Sequence, residues 1–96
     1  MKIKCEIYLN GSLLNPLDKD DNQLIYNVLE GLNLREGETF TIRPFNYYKD
    51  EKNCAFIGDE QIFHNIELII LKISREIITT VNGLYKVKIR YYLSKT

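Results

Sequence analysis

The chain has 96 residues, 45% of them hydrophobic and 27% charged, with 13 basic and 13 acidic side chains that cancel. Those are the proportions of one soluble globule, large enough to bury a single core without staples. No apolar run approaches the roughly 20 residues of a membrane span, and no repeat or low-complexity segment is present.

Met1-Lys2-Ile3-Lys4 opens a strand rather than a signal peptide, so the expectation is one cytoplasmic domain, residues 1–96, with no membrane partner. Cys5 and Cys54 lie far apart with no metal or redox motif, which reads as two reduced thiols. In the first strand Ile3, Cys5, Ile7 and Leu9 alternate with Lys2, Lys4, Glu6 and Tyr8, one face buried and one wet. Asn10-Gly11 is a tight turn, Ser12-Leu13-Leu14 a short returning strand, and Asn15-Pro16 its end.

Asp18-Lys19-Asp20-Asp21-Asn22 has the opening of a calcium loop, but Gln23 and Leu29 stand where its glycine and bidentate glutamate belong. A helix start accounts for it better, with Asp20 as cap and Gln23 completing a capping-box-like pair. Leu24, Ile25, Val28, Leu29 and Leu32 then form a helical stripe that ends near residues 31–33 and should lie on the apolar face of a sheet. Arg35-Glu36-Gly37-Glu38 reads as a turn. Thr39 to Arg43 reads as a strand with Phe40 and Ile42 inward, and Pro44 marks an edge or a strand end. Phe45 to Asn53, with Tyr47, Tyr48 and the run Lys49-Asp50-Glu51-Lys52, is an exposed loop. Cys54 to Ile57 is a short strand and Gly58-Asp59-Glu60 a turn.

The last third, Ile66 to Leu93, reads as one long β-hairpin around Asn82-Gly83. A three-residue loop, Val81-Asn82-Gly83 with Gly left-handed, sets Ile77 against Val87, Ile73 against Tyr91 and Leu71 against Leu93, and pairs Glu76 with Lys88 on the other face. Ile66, Ile69, Ile70, Ile73 and Ile77 also follow helical spacing, so a helix over 66–81 stays open. The β-branched content favours the strand. The fold class is therefore α+β: a single mixed or antiparallel sheet of about five strands, one helix on one face, order β-α-β-β-β-β, and a long C-terminal hairpin. The opening strand, tight turn, helix and mixed strands resemble the ubiquitin-like β-grasp in outline, without a C-terminal Gly-Gly.

One histidine, His64 in a turn after Phe63, and two distant cysteines make neither a metal cluster nor a nucleophile–base pair. No glycine-rich phosphate loop occurs. The expectation is a non-enzyme with no metal and no cofactor. Charge is segregated: residues 12–67 carry five basic against eleven acidic side chains, and residues 68–96 carry six basic against Glu76 alone. Lys86, Lys88, Arg90 and Tyr92 share one face of the last strand, and Lys2 and Lys4 extend the patch if the first strand is its neighbour. The patch reads either as a site for a partner or anion or as a solvated face. Arg75 falls on the apolar face opposite Ile89, where it must reach the sheet margin or meet a carboxylate or anionic ligand.

The abundance of Ile, Lys, Asn and Tyr, with 13, 9, 9 and 7 residues, points to A/T-rich codons. Size and composition together look like those of small phage accessory proteins, including anti-defence inhibitors such as anti-CRISPR proteins. The functional expectation is a small binding or inhibitory module that contacts a protein stoichiometrically. The alternative is a nucleic acid or phosphorylated small molecule, such as a nucleotide, held on the basic face. A homodimer, through opposite charges or an exposed hairpin edge, is also expected.

Overall fold

Alternation in the first strand and a turn that tolerates positive φ give the N-terminal hairpin. In the computed structural model, which describes residues 2–14, 27–44, 55–57, 60–83 and 85–96, β1 (Lys2–Leu9) turns into β2 (Ser12–Leu13). Asn10 and Gly11 have φ of 51° and 86°, the paired positive values of a two-residue hairpin loop. Residues 27–31 are helical. The remaining strands are β3 (Thr39–Ile42), β4 (Ala55–Ile57), β5 (Glu60–Ile62), β6 (Ile66–Thr79) and β7 (Tyr85–Lys95).

Five strands form one mixed sheet in the order β2-β1-β7-β6-β3, with β1 and β7 parallel and the other neighbours antiparallel. With the short helix this is a small α+β fold, mostly one sheet. The sheet draws its fifth strand from β2. β4, expected within it, pairs instead with β5 in a separate two-stranded ribbon. Glu60, expected in a turn, begins β5.

Residues 66–79 are strand throughout, which removes the helical alternative. The hairpin register follows the expected pairs Ile77–Val87, Glu76–Lys88, Arg75–Ile89 and Ile73–Tyr91, and Gly83 takes φ of 76°. It departs at Leu71. A bulge between Ile70 and Lys72 shifts the ladder, so Ile70 rather than Leu71 faces Leu93. The reason is the pairing with β3, which sets Leu68 opposite Phe40 and Ile66 opposite Ile42. Even-numbered residues must point at the core beside β3, and odd-numbered ones beyond it. One extra residue changes the phase, and Leu71 is left exposed.

The core lies on one face of the sheet. Ile7, Leu68, Ile70, Tyr91 and Leu93 are its largest fully buried side chains, joined by Cys5, Leu9, Ile89, Leu14, Leu29 and Ile62. Phe40 and Ile42 pack against it half-buried, and β3, two residues before Pro44, is the edge strand. The helical stripe needs correcting. Leu29 is buried, but Val28 and Leu32 are exposed. Val28 sits about 100° around the helix from Leu29, and Leu32 comes after the last helical residue, where Asn33 turns left-handed (φ 54°). The Asp18–Asn22 segment with its cap, Leu24, Ile25, the 45–53 loop, Cys54 and Gly58-Asp59 lie outside the described residues.

Truncating a fully buried side chain leaves a cavity, so Leu93→Ala should cost about 2–5 kcal/mol of unfolding free energy. Ile77, 69% exposed, should lose less than about 1 kcal/mol on the same change. Urea unfolding midpoints of the two variants check the contrast; equal losses would mean that the core extends to the hairpin tip.

Candidate functional site

Parallel pairing of β1 with β7 decides what the outer face carries. Lys2 stands opposite Lys86, Lys4 opposite Lys88, Glu6 opposite Arg90 and Tyr8 opposite Tyr92. From the other side β6 brings Lys72 to Tyr92 and Glu76 to Lys88. Lys4, Lys86, Lys88, Arg90 and Tyr92 thus share a face, with Lys2 at the adjoining register position.

That face is far from uniformly basic. Glu6 Oε1 lies 3.0 Å from Lys88 Nζ and 3.2 Å from Arg90 Nε, and Arg90 Nη1 reaches Glu76 Oε2 at 3.4 Å. Burial alone would raise the Glu6 pKa, but the hydrogen bond from Lys88 and the charges of Lys88, Arg90 and Lys4 outweigh it and hold the carboxyl below its ordinary value. Lys4 and Lys86 make no ion pair among the described residues. Tyr8 and Tyr92 stack with centroids 4.7 Å apart and planes 15° from parallel, and Lys72 Nζ lies 5.9 Å from the Tyr92 ring centre. Glu6 and Tyr8 were visible on the wet side of the first strand. What hid their roles was the identity of the neighbouring strand, which alternation alone does not reveal.

Arg75 lies on the core face, as its register required, and meets a carboxylate. Its Nη2 is 3.2 Å from Glu30 Oε1, with the arginine side chain 56% exposed. The same oxygen accepts the Tyr91 hydroxyl. Burial first, then the hydrogen bond to Glu30 and the Glu30 charge, push the Tyr91 hydroxyl well above its ordinary pKa. Cys5, beneath them, is pushed up to about 12 by burial and then by Glu30 and Glu6. Arg75 also borders an open cavity of about 380 Å³ lined with Asn33, Leu34, Arg35, Glu36 and Ile73. His64 sits exposed in a bend. Among the described residues no three His, Cys, Asp or Glu side chains converge on a metal-sized space, and no helix is long and apolar enough to cross a membrane.

A third surface is the far end of the hairpin. Ile77 and Tyr85 point to the core side of the sheet beyond the reach of the core. Both are exposed there, and Val81 in the turn is fully exposed. β6 has β3 as its outer neighbour only as far as Ile69. The turn Arg35–Glu38 continues the edge through Gly37 N to Ile70 O and Ile70 N to Glu38 O, and Glu36 Oε1 then accepts the Ile73 N–H at 2.9 Å.

Comparison with known proteins finds no family model, curated protein or solved structure that matches the chain.

The Glu6 shift has a sign. A carboxyl with a depressed folded pKa stabilises the fold above its unfolded pKa, near 4.5, and that stability is lost as pH falls through the folded value. Glu6→Gln should therefore lower stability at pH 7 by about 1 kcal/mol and flatten its fall between about pH 5 and 3; urea titrations at several pH values read both. The Cys5 thiol should be inert, since the thiolate is the nucleophile. In a Cys54→Ser background, alkylation at pH 8.5 should be about 100-fold slower in the folded chain than in urea, and equal rates would contradict the burial.

Proposed function

We propose that the chain is a non-enzymatic binding module that acts by stoichiometric contact with another protein, through the far end of its C-terminal hairpin. The observation that carries this is the exposure of Ile77, Val81 and Tyr85 together at that end, where Val81 is fully exposed. Apolar and aromatic side chains clustered at a projecting tip cost solubility and add little to the core, whereas aromatic anchors are what protein interfaces use. The molecule measures 54 × 27 × 24 Å, and a 14-residue strand spans about 46 Å of such a length, so the hairpin reaches from one end nearly to the other. The setting that size and A/T-rich composition favour is a cytoplasmic phage or mobile-element accessory protein of the anti-defence, anti-CRISPR-like kind, acting as an inhibitor.

The second reading places a single-stranded nucleic acid or a nucleotide on the outer face. Its support is the stacked Tyr8–Tyr92 pair with Lys72 beside it, together with Lys4 and Lys86 further along the same face, which make no ion pair among the described residues. Against it stand Glu6 and Glu76, which occupy Lys88 and Arg90. A stack that already satisfies its own ring faces also has less to offer a base.

Affinity capture from the native host separates the two. Val81→Glu with Tyr85→Glu should abolish capture of a protein partner, while Lys4→Glu with Lys86→Glu should leave it unchanged. Lys88 and Arg90 are spared because reversing them would strand Glu6 between two strands. Retention by the tip variant would overturn the contact reading. Salt-sensitive binding of an oligonucleotide or nucleotide, lost in the Lys4→Glu, Lys86→Glu variant, would establish the other.

A further inference from the structure

Among the described residues no strand pairs with the outer edge of β6 beyond Ile73. Peptide groups alternate in direction along a strand. Ile70 and Ile73 direct theirs away from β7, since their N–H groups bond to Glu38 and Glu36. Arg75, Ile77 and Thr79 continue that series, each standing opposite a β7 residue in the non-hydrogen-bonded position. Among the described residues nothing accepts or donates to these three outward groups. Their side chains are exposed too.

We infer that this edge pairs with the same edge of a second copy of the chain, antiparallel, about a two-fold axis through Ile77. This goes beyond the function proposed above, because a second copy rather than a foreign protein fills the edge, and Val81 and Tyr85 lie outside the paired segment. With the axis at Ile77, Ile77 meets Ile77 of the second copy and Arg75 meets its Thr79. The three outward-facing positions then make about six backbone hydrogen bonds. On the opposite side of the sheet Glu76 meets Ile78 of the second copy. Other registers do worse. An axis at Glu76 sets two carboxylates face to face and one at Arg75 two guanidinium groups, which is destabilising. Axes at Ile78 or Thr79 run the overlap into the turn, where the Thr80 carbonyl already accepts from Gly83.

Two features of the edge fit a partner. An inward-pointing charge on an edge strand ordinarily blocks pairing. Here Arg75 is drawn toward Glu30 on the helical segment, 3.2 Å away, and its charge is neutralised there rather than presented along the edge. Ile77, 69% exposed on the edge with Val87 beside it on β7, gains a second apolar neighbour, on its open side, in the pair. The product is one continuous sheet of ten strands, with both cores on the same side.

The contact is short, so the dimer should be weak, with Kd on the order of ten micromolar. The test uses the full chain with Cys54→Ser, which leaves only the buried Cys5. Hydrogen-bonded antiparallel partners lie about 5.5 Å apart at Cα, within reach of a disulfide. Ile77→Cys should therefore oxidise to a covalent dimer. Arg75→Cys and Thr79→Cys should do so only when mixed with each other, and Val81→Cys, the most exposed position, should do so slowly. Sedimentation of the wild type should show a concentration-dependent dimer that survives about 0.5 M salt, where screening has shortened the reach of charges to a few ångströms. Ile77→Lys, which puts like charges on the axis, should sediment as a monomer while keeping its circular dichroism. A wild type that stays at 11 kDa up to about 1 mM, faster crosslinking through Val81→Cys than Ile77→Cys, or a dimer that dissolves in salt would each overturn the inference, the last in favour of head-to-tail charge pairing.

Discussion

The eight-residue parallel pairing of β1 with β7 is the constraint from which the rest of the molecule follows. It joins the two ends of the described chain, and closing so long a loop costs chain entropy that grows only slowly with length. The return is the centre of the core, where Cys5 meets Ile89, Ile7 meets Tyr91 and Leu9 meets Leu93. Asn10 clasps the end of the pairing, donating its N–H to Leu93 and accepting from the Lys95 N–H and the Ser94 hydroxyl. With β6 on its other side, β7 is the middle strand of the sheet, and both neighbours must be in register before either face is complete.

The same register gives the outer face a structural task. A one-residue slip of β1 would turn its apolar side chains to water, and burial forbids it. A two-residue slip is different, because Ile, Cys, Ile and Leu would still face Val, Ile, Tyr and Leu, and the core alone opposes it weakly. The outer face adds to that opposition. A slip toward Tyr92 would take Glu6 away from Lys88, and a slip in either direction would part the Tyr8–Tyr92 stack. The ion pairs and the stack therefore specify alignment, which accounts for much of the charge on β7 without any ligand. The cations left over by this account, Lys4, Lys86 and Lys72, are the ones on which a ligand reading has to rest.

How much of this could be read from the chain itself depended on whether a feature was local. The two hairpins were legible because Asn-Gly turns and short-period alternation are local, and the register from Ile77–Val87 to Ile73–Tyr91 followed from matching apolar faces. The bulge was hidden in an ambiguity. From Ile66 to Leu71 only Glu67 is polar, so alternation gives no phase, and the three-residue step from Ile70 to Ile73 that marks the bulge is also helical spacing. The same step produced the helical reading of this segment. The membership of β2 rather than β4 in the large sheet, and the Glu30–Arg75 and Glu6–Arg90 pairs, depend on which distant elements meet. Arg75 was recognisable as a problem, a charge on an apolar face, but its solution lay 45 residues away.

The bulge also links the core to the hairpin's exposed edge. By changing the phase of β6 it lets Leu68 and Ile70 enter the core beside β3 while Ile73 continues toward Tyr91. Bulges bend a strand and increase its twist, so β6 leaves the line of β3 at the point where β3 gives way to the Arg35–Glu38 turn. Glu36 then caps Ile73, which closes the β3 side with a side chain, and the next three outward peptide groups have no partner among the described residues. Packing at the proximal end thus creates the opening at the distal end. An exposed edge left with Ile77 rather than lysine or proline on it lacks the usual protection against strand pairing. The segment from Ile73 to Tyr85 is accordingly where both proposed contacts, with a second copy along the edge and with another protein at the tip, would fall.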